Sequence, residues 1–313
     1  MTVKTQVWTD DARGIDAAVG ILREGGLVAL PTETVYGLGA DARNDRAVAR
    51  IFEAKDRPRF NPLIVHVHGI EAAQSLVDWS DLADRLAHAF WPGPLTLVLP
   101  LKSDAGLSPL VTAKLPTLAI RMPAHPLAHA LLTAFDGPIA APSANPSGRI
   151  SPTTAAHVLA GLEGRIDGIL DGGPCDVGLE STIIGLDGSP RLLRPGGLPH
   201  GSVEAALGQP LDQLLDHAPV TAPGQMASHY APGAPVRLNA SAARPGEVLL
   251  GFGEIEGDLS LSRAGDLLEA AANLFGHLHK LDAKGMPIAV APIPNTGLGL
   301  AINDRLKRAA APR

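Results

Sequence analysis

One cysteine, Cys175, occurs among 313 residues, which excludes an intramolecular disulfide and any zinc site built on cysteines. Aromatic residues make up only 4% and the formal net charge is −6. A surface that tracks a nucleic-acid backbone or stacks bases needs the opposite on both counts, so no stable nucleic-acid binding is expected. No run of about 18 apolar residues is present, so no membrane-spanning helix is expected. The opening Met1-Thr-Val-Lys-Thr-Gln6 lacks the apolar core of a signal peptide, which makes the cytoplasm the expected compartment. There is no G-x-x-x-x-G-K-[ST] loop, and Gly37-Leu-Gly39, Gly251-Phe-Gly253 and Gly297-Leu-Gly299 each fall short of G-x-G-x-x-G. No motif marks a nucleophilic serine or a Cys–His pair. An enzyme built from this inventory works by stabilising charge rather than through a covalent intermediate.

Hydrophobic residues, by contrast, make up 45% and charged residues 19%, the balance of a folded globular chain of about two domains. Glycine (34) and proline (28) are well above the usual share of ~12%, so many loops must be tightly shaped. Residues 1–207 alternate short apolar strands with amphipathic helices. Strands are expected at 26–30, 63–67, 95–99, 117–121, 138–141, 166–170, 181–186 and 191–194, the last two forming a hairpin through Asp187-Gly188. Asn44 caps a helix whose apolar face is Ala47, Val48, Ile51 and Phe52; 70–78, 80–90 and 127–135 also read as helical. Ser151-Pro152 reads as the cap and first position of a helix to Leu162. Strands joined both by helices and by hairpins predict a mixed, twisted sheet with flanking helices.

Residues 208–235 lose this periodicity and gather prolines and glycines, the signature of a linker. Residues 236–313 then read as a small C-terminal α/β, Rossmann-like domain: strands at 246–251 and 287–291, helices at 264–281 and 298–310. His277-Leu-His279 has no further ligand residues nearby and reads as a solvated helix face.

Two sets of residues stand out as candidates for chemistry. Lys55 and Arg57 close the helix that Asn44 starts, Arg59 follows, and Arg121 and Arg194 stand where strands leave the sheet. Each position also suits an ordinary role, such as complementing a helix dipole; together they point to a site for an anion more strongly than any one does. The second set is hydroxylic: Pro31-Thr32-Glu33-Thr34-Val35-Tyr36-Gly37, Ser143-Ala-Asn145-Pro-Ser147-Gly148 and Ser181-Thr182, each next to a strand. Such sequences make turns, and in α/β sheets they also gather where ligands bind. His229-Tyr230 is unusual for a spacer and suggests a docked linker. The residues alone thus give an α/β protein with a candidate polyanion site, and do not name the polyanion.

Taken in order, Pro31-Thr-Glu-Thr-Val-Tyr-Gly-Leu-Gly-Ala-Asp41, Lys55-Asp-Arg57-Pro, Asn61-Pro-Leu-Ile-Val-His66, Ser143-Ala-Asn145-Pro-Ser-Gly148, Ser181-Thr-Ile-Ile184 and Arg194-Pro-Gly196 resemble the YrdC-type threonylcarbamoyl-AMP synthases. His229-Tyr-Ala-Pro232 and the trailing domain resemble the long, two-domain form. The resemblance implies condensation of L-threonine, bicarbonate or CO2, and ATP into threonylcarbamoyl-AMP with release of pyrophosphate. The product then passes to a tRNA threonylcarbamoyl transferase complex that modifies the adenosine beside the anticodon. It further implies that Lys55, Arg57, Ser143 and Asn145 face the nucleotide's phosphates, and that Arg59, Thr117, Ser151, Arg194, His229 and Tyr230 surround the nucleotide. Thr32, His66, Arg121 and Ser181 fall around threonine, with Arg121 on its carboxylate. Mg2+ is expected through the phosphates, with no metal held by protein side chains. One departure is visible: the family's linker often carries a basic residue before H-Y-A-P, whereas here Ala222-Pro-Gly-Gln225-Met-Ala-Ser-His229 has no cation. Related domains suggested to bind double-stranded RNA are disfavoured by the charge. Carbamoyl transfer in hydrogenase maturation is disfavoured by the single cysteine, since that family carries cysteine-rich zinc modules.

Overall fold

Two sheets organise the chain in a computed structural model that describes residues 4–9, 12–213, 222–226 and 228–312. The larger contains β1 (Gln6–Trp8), β2 (Val28–Leu30), β3 (Gly37–Asp41), β4 (Ile64–His66), β5 (Leu95–Pro100), β6 (Thr117–Arg121), β7 (Ile139–Ala140), β8 (Gly168–Leu170), β9 (Thr182–Gly185), β10 (Arg191–Arg194) and β11 (Asp212–Gln213). Their order is β1-β8-β2-β3-β7-β4-β6-β5-β9-β10-β11. The sheet is mixed, as the sequence predicts: β2 runs parallel to β8 but antiparallel to β3, and β5 runs parallel to β9 but antiparallel to β6. Its helices are α1 (Ala12–Arg23), α2 (Asp45–Lys55), α3 (Ile70–Gln74), α4 (Asp81–Phe90), α5 (Pro126–Phe135), α6 (Ala155–Leu162) and α7 (His200–Leu207). The smaller sheet, β12 (Val236–Arg237), β13 (Val248–Gly251), β14 (Leu259–Ser260) and β15 (Ile288–Val290), is parallel throughout in the order β12-β15-β13-β14. Helices α8 (Leu267–Asp282) and α9 (Gly299–Ala309) belong to it.

Local chemistry explains why the elements stop where the site begins. The Asn44 side-chain oxygen accepts from the Arg46 and Ala47 amides at 3.0 and 3.2 Å, capping α2. Ala47, Val48, Ile51 and Phe52 then face the core, and the helix ends at Asp56 in the left-handed region (φ 51°). That stop delivers Lys55 and Arg57 to one end of the sheet. Strand β6 delivers Arg121, hydrogen-bonded in register beside His66 of β4. The β9–β10 hairpin delivers Ser181 and Arg194.

Two sequence expectations are corrected. Helix α6 starts at Ala155 rather than behind Ser151, and Thr154 is its cap. The Ser151 hydroxyl is taken instead by a stronger partner, donating to the buried carboxylate of Glu180 at 2.5 Å. Nor is His279 on a solvated face: its ring stacks on His157 of α6 with centroids 3.9 Å apart, and Nε2 lies 3.1 Å from the Ser151 carbonyl. The expected strands omit β1, β3, β11, β12 and β14, and the expected helices omit α1 and α7.

The Pro/Gly-rich stretch is attached at several points. Strand β11 pairs with β10, and the Ala231 amide donates to the Gly148 carbonyl at 2.8 Å. The Gly233 and Ala234 amides donate to Asp282 of α8. Residues 214–221 and Ala227 of this stretch, Pro219 among them, lie outside the described residues.

The apolar core of the smaller domain does not close on itself. Leu250, Leu274 and Phe275 share one buried cluster with Val35, Ile150 and Leu179 of the larger domain and with Tyr230. Gly178 marks a close approach: a Cβ there would lie 2.6 Å from the Ala272 Cα, and its φ is +70°. Gly178→Val is therefore expected to force the domains apart and lower stability by roughly 1–3 kcal/mol, measured by chemical denaturation; an unchanged midpoint would show that docking does not depend on this contact.

Candidate functional site

The loops that leave β2, β6, β7 and β10, the loop that enters β9 and the end of β4 surround a narrow cleft. Thr32, Arg57, His66, Arg121, Ser143, Ser181, Arg194, His229 and Tyr230, all expected site residues, line it together with Thr34, Glu180, Pro223 and Gly224.

At one end the cleft is strongly cationic. The Lys55 ammonium is buried and donates to the Ser143 and Asn145 carbonyls. Arg57 donates to the Asn61 and Pro62 carbonyls at 3.3 and 2.8 Å. Arg194 donates to the Ser181 carbonyl at 3.1 and 2.9 Å, to the Ser181 hydroxyl at 3.1 Å and to the Pro223 carbonyl at 3.2 Å. Among the described residues none of the three has a carboxylate in ion-pair contact. Burial, with Arg57 beside it, pushes the Lys55 ammonium well below its usual range. Burial also draws Arg57 down to about 10, Arg194 adding to the effect against Tyr230. Such a group of cations, held by carbonyl dipoles but not neutralised, is a preformed site for a polyanion.

The other end is set for a smaller polar molecule. Arg121 is fixed from three sides: by Glu33 at 2.6 Å, by the Thr34 hydroxyl at 2.9 Å and by the Gly93 carbonyl at 3.1 Å. Thr32 shares a hydrogen bond with Thr34 at 2.8 Å and donates to the Val35 carbonyl. Ser181 is hydrogen-bonded to Thr96 at 2.7 Å. Burial, with Arg121 as neighbour, pushes His66 down to about 3, so its imidazole is neutral; its buried Nδ1 has no hydrogen-bond partner among the described residues.

The linker covers this cleft with His229 and Tyr230, both buried, their rings 4.1 Å apart. Burial, and then the charges of Arg57, Lys55, Arg305 and Arg194, keep His229 neutral. Gly224, at φ +84°, passes so close that a Cβ would lie 2.6 Å from the Tyr230 hydroxyl and 3.0 Å from Arg194; only glycine fits there.

Not every expected residue reaches the cleft. Lys55 and Asn145 stand behind its wall, and Asn145 instead borders a neighbouring hollow with His157 and His279. Ser151 contacts it only through Glu180. Arg59 is exposed and does not line it. Thr117 starts the strand that Arg121 ends, about 13 Å away at ~3.3 Å per residue, and does not share the cleft. Reading the sequence by motif passes over Glu180, immediately before Ser181, and Glu33 and Thr34, inside a quoted motif. It gives no signal for Arg305 in the second domain.

Among the described residues no group of three or more His, Cys, Asp or Glu side chains gathers as metal ligands. The two carboxylates nearest the cleft, Glu33 and Glu180, are engaged by Arg121 and Arg305. This donor set does not suit a cation held by the protein itself.

Comparison with known proteins follows from this geometry. A family profile described as "Telomere recombination", covering Sua5, YciO and YrdC, matches residues 20–196. A second, the C-terminal domain of threonylcarbamoyl-AMP synthase, matches residues 200–311. The threonylcarbamoyl-AMP synthase of Bacillus subtilis is 44% identical, over 99% of this chain and 96% of its own. That of Pyrococcus abyssi is 42% identical, over 96% and 94%. The crystal structure of P. abyssi Sua5 complexed with L-threonine superposes with a TM-score of 0.88 at 39% identity, covering 99% of this chain and 98% of that one.

The buried neutral His66 has a consequence for acid stability. Its folded pKa, about 3, lies below the unfolded value of ~6.5, so the unfolded chain binds the extra proton. Its contribution is whole above pH 6.5 and lost as pH falls from there towards 3. Between those limits the slope of stability against pH in the parent is expected to exceed that of His66→Gln by up to ~1.4 kcal/mol per pH unit. Denaturation followed at several pH values checks this; equal slopes would show that His66 is charged in the native state.

Proposed function

The chain belongs to the two-domain threonylcarbamoyl-AMP synthase family, and from that membership we propose that it joins L-threonine, bicarbonate or CO2, and ATP into threonylcarbamoyl-AMP. Pyrophosphate is the other product, and the setting is the cytoplasm. The observation that carries the reading is the trio Lys55, Arg57 and Arg194: buried cationic side chains with no carboxylate in ion-pair contact among the described residues, beside a cleft that also holds a fixed arginine and hydroxyls.

In the first step the neutral amine of threonine adds to CO2, forming the N–C bond and releasing a proton. The resulting carbamate is acidic enough to be an anion at neutral pH. One carbamate oxygen then attacks the α-phosphorus of ATP, forming an O–P bond as the bond to pyrophosphate breaks. Both attacking groups come from the substrates, so the reaction requires no protein nucleophile. The protein's part is positioning and charge. Arg57 and Arg194, backed by Lys55, take the phosphates, with Ser143 beside them. Arg121 takes the threonine carboxylate through its planar fork, with Thr32 and Ser181 as hydroxyl partners and neutral His66 closing that wall. A magnesium ion would be held by the phosphates of ATP rather than by protein side chains, and would neutralise part of their charge. His229 and Tyr230 exclude water from a carbamate that water would destroy. We further assign residues 1–207 to catalysis, 208–235 to a strap over the cleft and 236–313 to a domain that holds it. The product goes to a separate transferase that acts on tRNA.

Two measurements test this. Pyrophosphate release is expected with all three substrates and only background release when any one is omitted; release independent of threonine would overturn the assignment. Arg57→Ala is expected to lower kcat/KM by roughly 10²-fold or more with the fold intact. An unchanged rate would remove Arg57 from the phosphate site.

A further inference from the structure

The second domain supplies one residue that touches the site from behind. Arg305 of α9 is fully buried, although an apolar cluster already joins the two domains. Its Nε donates to Glu180 Oε2 at 2.7 Å and its Nη1 to Asp304 at 2.6 Å, while its guanidinium lies 5.0 Å from the centre of the Tyr230 ring. The other Glu180 oxygen accepts from Ser151. Glu180 lines the cleft directly before Ser181, whose carbonyl and hydroxyl are both bound by Arg194. One guanidinium therefore ends a chain of contacts that runs through Glu180 to Ser151 on one side, to Ser181 and Arg194 on the other, and through the Tyr230 ring to the strap.

Stability alone does not account for this residue. Removing two charges from water costs several kcal/mol per ion, and apolar residues of similar volume often serve a buried interface as well or better. The apolar cluster around Arg305 already docks the domains. What an apolar side chain would not do is fix a carboxylate and an aromatic ring in one arrangement beside the reacting groups.

We propose that Arg305 is a positioning residue for the reaction, orienting Glu180 and the Tyr230 ring so that the C-terminal domain sets the shape of the cleft. The inference rests on the reading of that cleft as the site of threonylcarbamoyl-AMP formation. It gives the second domain a catalytic purpose without placing any of its atoms on a substrate. Burial alone would raise the Glu180 carboxyl, but Arg305 and Arg194, with the Ser151 hydroxyl, bring it below its ordinary range; Glu180 is thus an anion that stays in place only while its partners do.

The test uses full-length Arg305→Met, Arg305→Lys, Glu180→Gln and the Glu180→Gln/Arg305→Met double variant. Pyrophosphate release is measured against ATP and threonine, and folding by circular dichroism and thermal melting. In folded protein, Arg305→Met is expected to lower kcat/KM at least tenfold. Arg305→Lys, which keeps the charge but lacks the planar fork that sets Glu180 and Asp304 in fixed directions, should recover only part. The double variant should be no slower than the slower single one, because both substitutions break the same chain of contacts. Folded Arg305→Met with the parental kcat/KM overturns the proposal, as do losses that simply multiply in the double variant. If Arg305→Met fails to fold, Arg305→Lys and the double variant decide: parental kcat/KM in either overturns the proposal, and a loss in both supports it. A parent protein that releases no pyrophosphate overturns the reading of the cleft, and this inference with it.

Discussion

Three cationic side chains, buried near one another and with no carboxylate in ion-pair contact among the described residues, are the constraint from which the rest of the structure follows. Several kcal/mol per buried ion is a large demand on a fold whose whole stability is of the order of 5–15 kcal/mol. Carbonyl dipoles meet that demand, and those carbonyls belong to loops: Ser143 and Asn145 for Lys55, Asn61 and Pro62 for Arg57, Ser181 and Pro223 for Arg194. A carbonyl can hold a cation only if it stays where it is. The high proline and glycine content is how these loops are held, since each residue fixes or permits one particular backbone path. Dipoles also leave the net charge untouched, so the field stays positive for a ligand.

Much of this was legible in the sequence because the relevant signals are local. Asn44 and the Ala47, Val48, Ile51, Phe52 spacing gave α2, and the bounds of β6 and β10 fall where the apolar runs do. The Asp187-Gly188 signal gave the hairpin. Strand β3 escaped because Gly37-Leu-Gly39-Ala-Asp41 has almost none of the bulk that marks a strand; it is a strand because β2 and β7 flank it. Ser151 escaped for a different reason. A serine before proline is a fair helix cap, and only the tertiary presence of Glu180 gives its hydroxyl a better partner.

Long-range placement was the part no local pattern carries. Thr117 and Arg121 lie on one short strand, yet the strand's length keeps them at opposite ends of it. Arg305 is the converse: distant in sequence, with nothing in its neighbours to mark it, and yet in contact with Glu180. The His157–His279 stack belongs to the same class. Residues at the meeting of two domains answer to a surface that neither domain's own sequence pattern describes.

The strap shows how a missing charge is made up. The linker before His229 carries no cation, and in the structure it offers acceptors instead. Arg194 of β10 reaches the Pro223 carbonyl and Arg308 of α9 reaches the Met226 carbonyl at 2.6 Å, while Gln225 donates to the Leu193 carbonyl at 3.1 Å. The charges thus come from the body of the protein and the strap supplies the oxygens. One guanidinium, that of Arg194, thus holds the linker at the Pro223 carbonyl and the entry to β9 at the Ser181 carbonyl, so the position of the linker is tied to that of the hairpin.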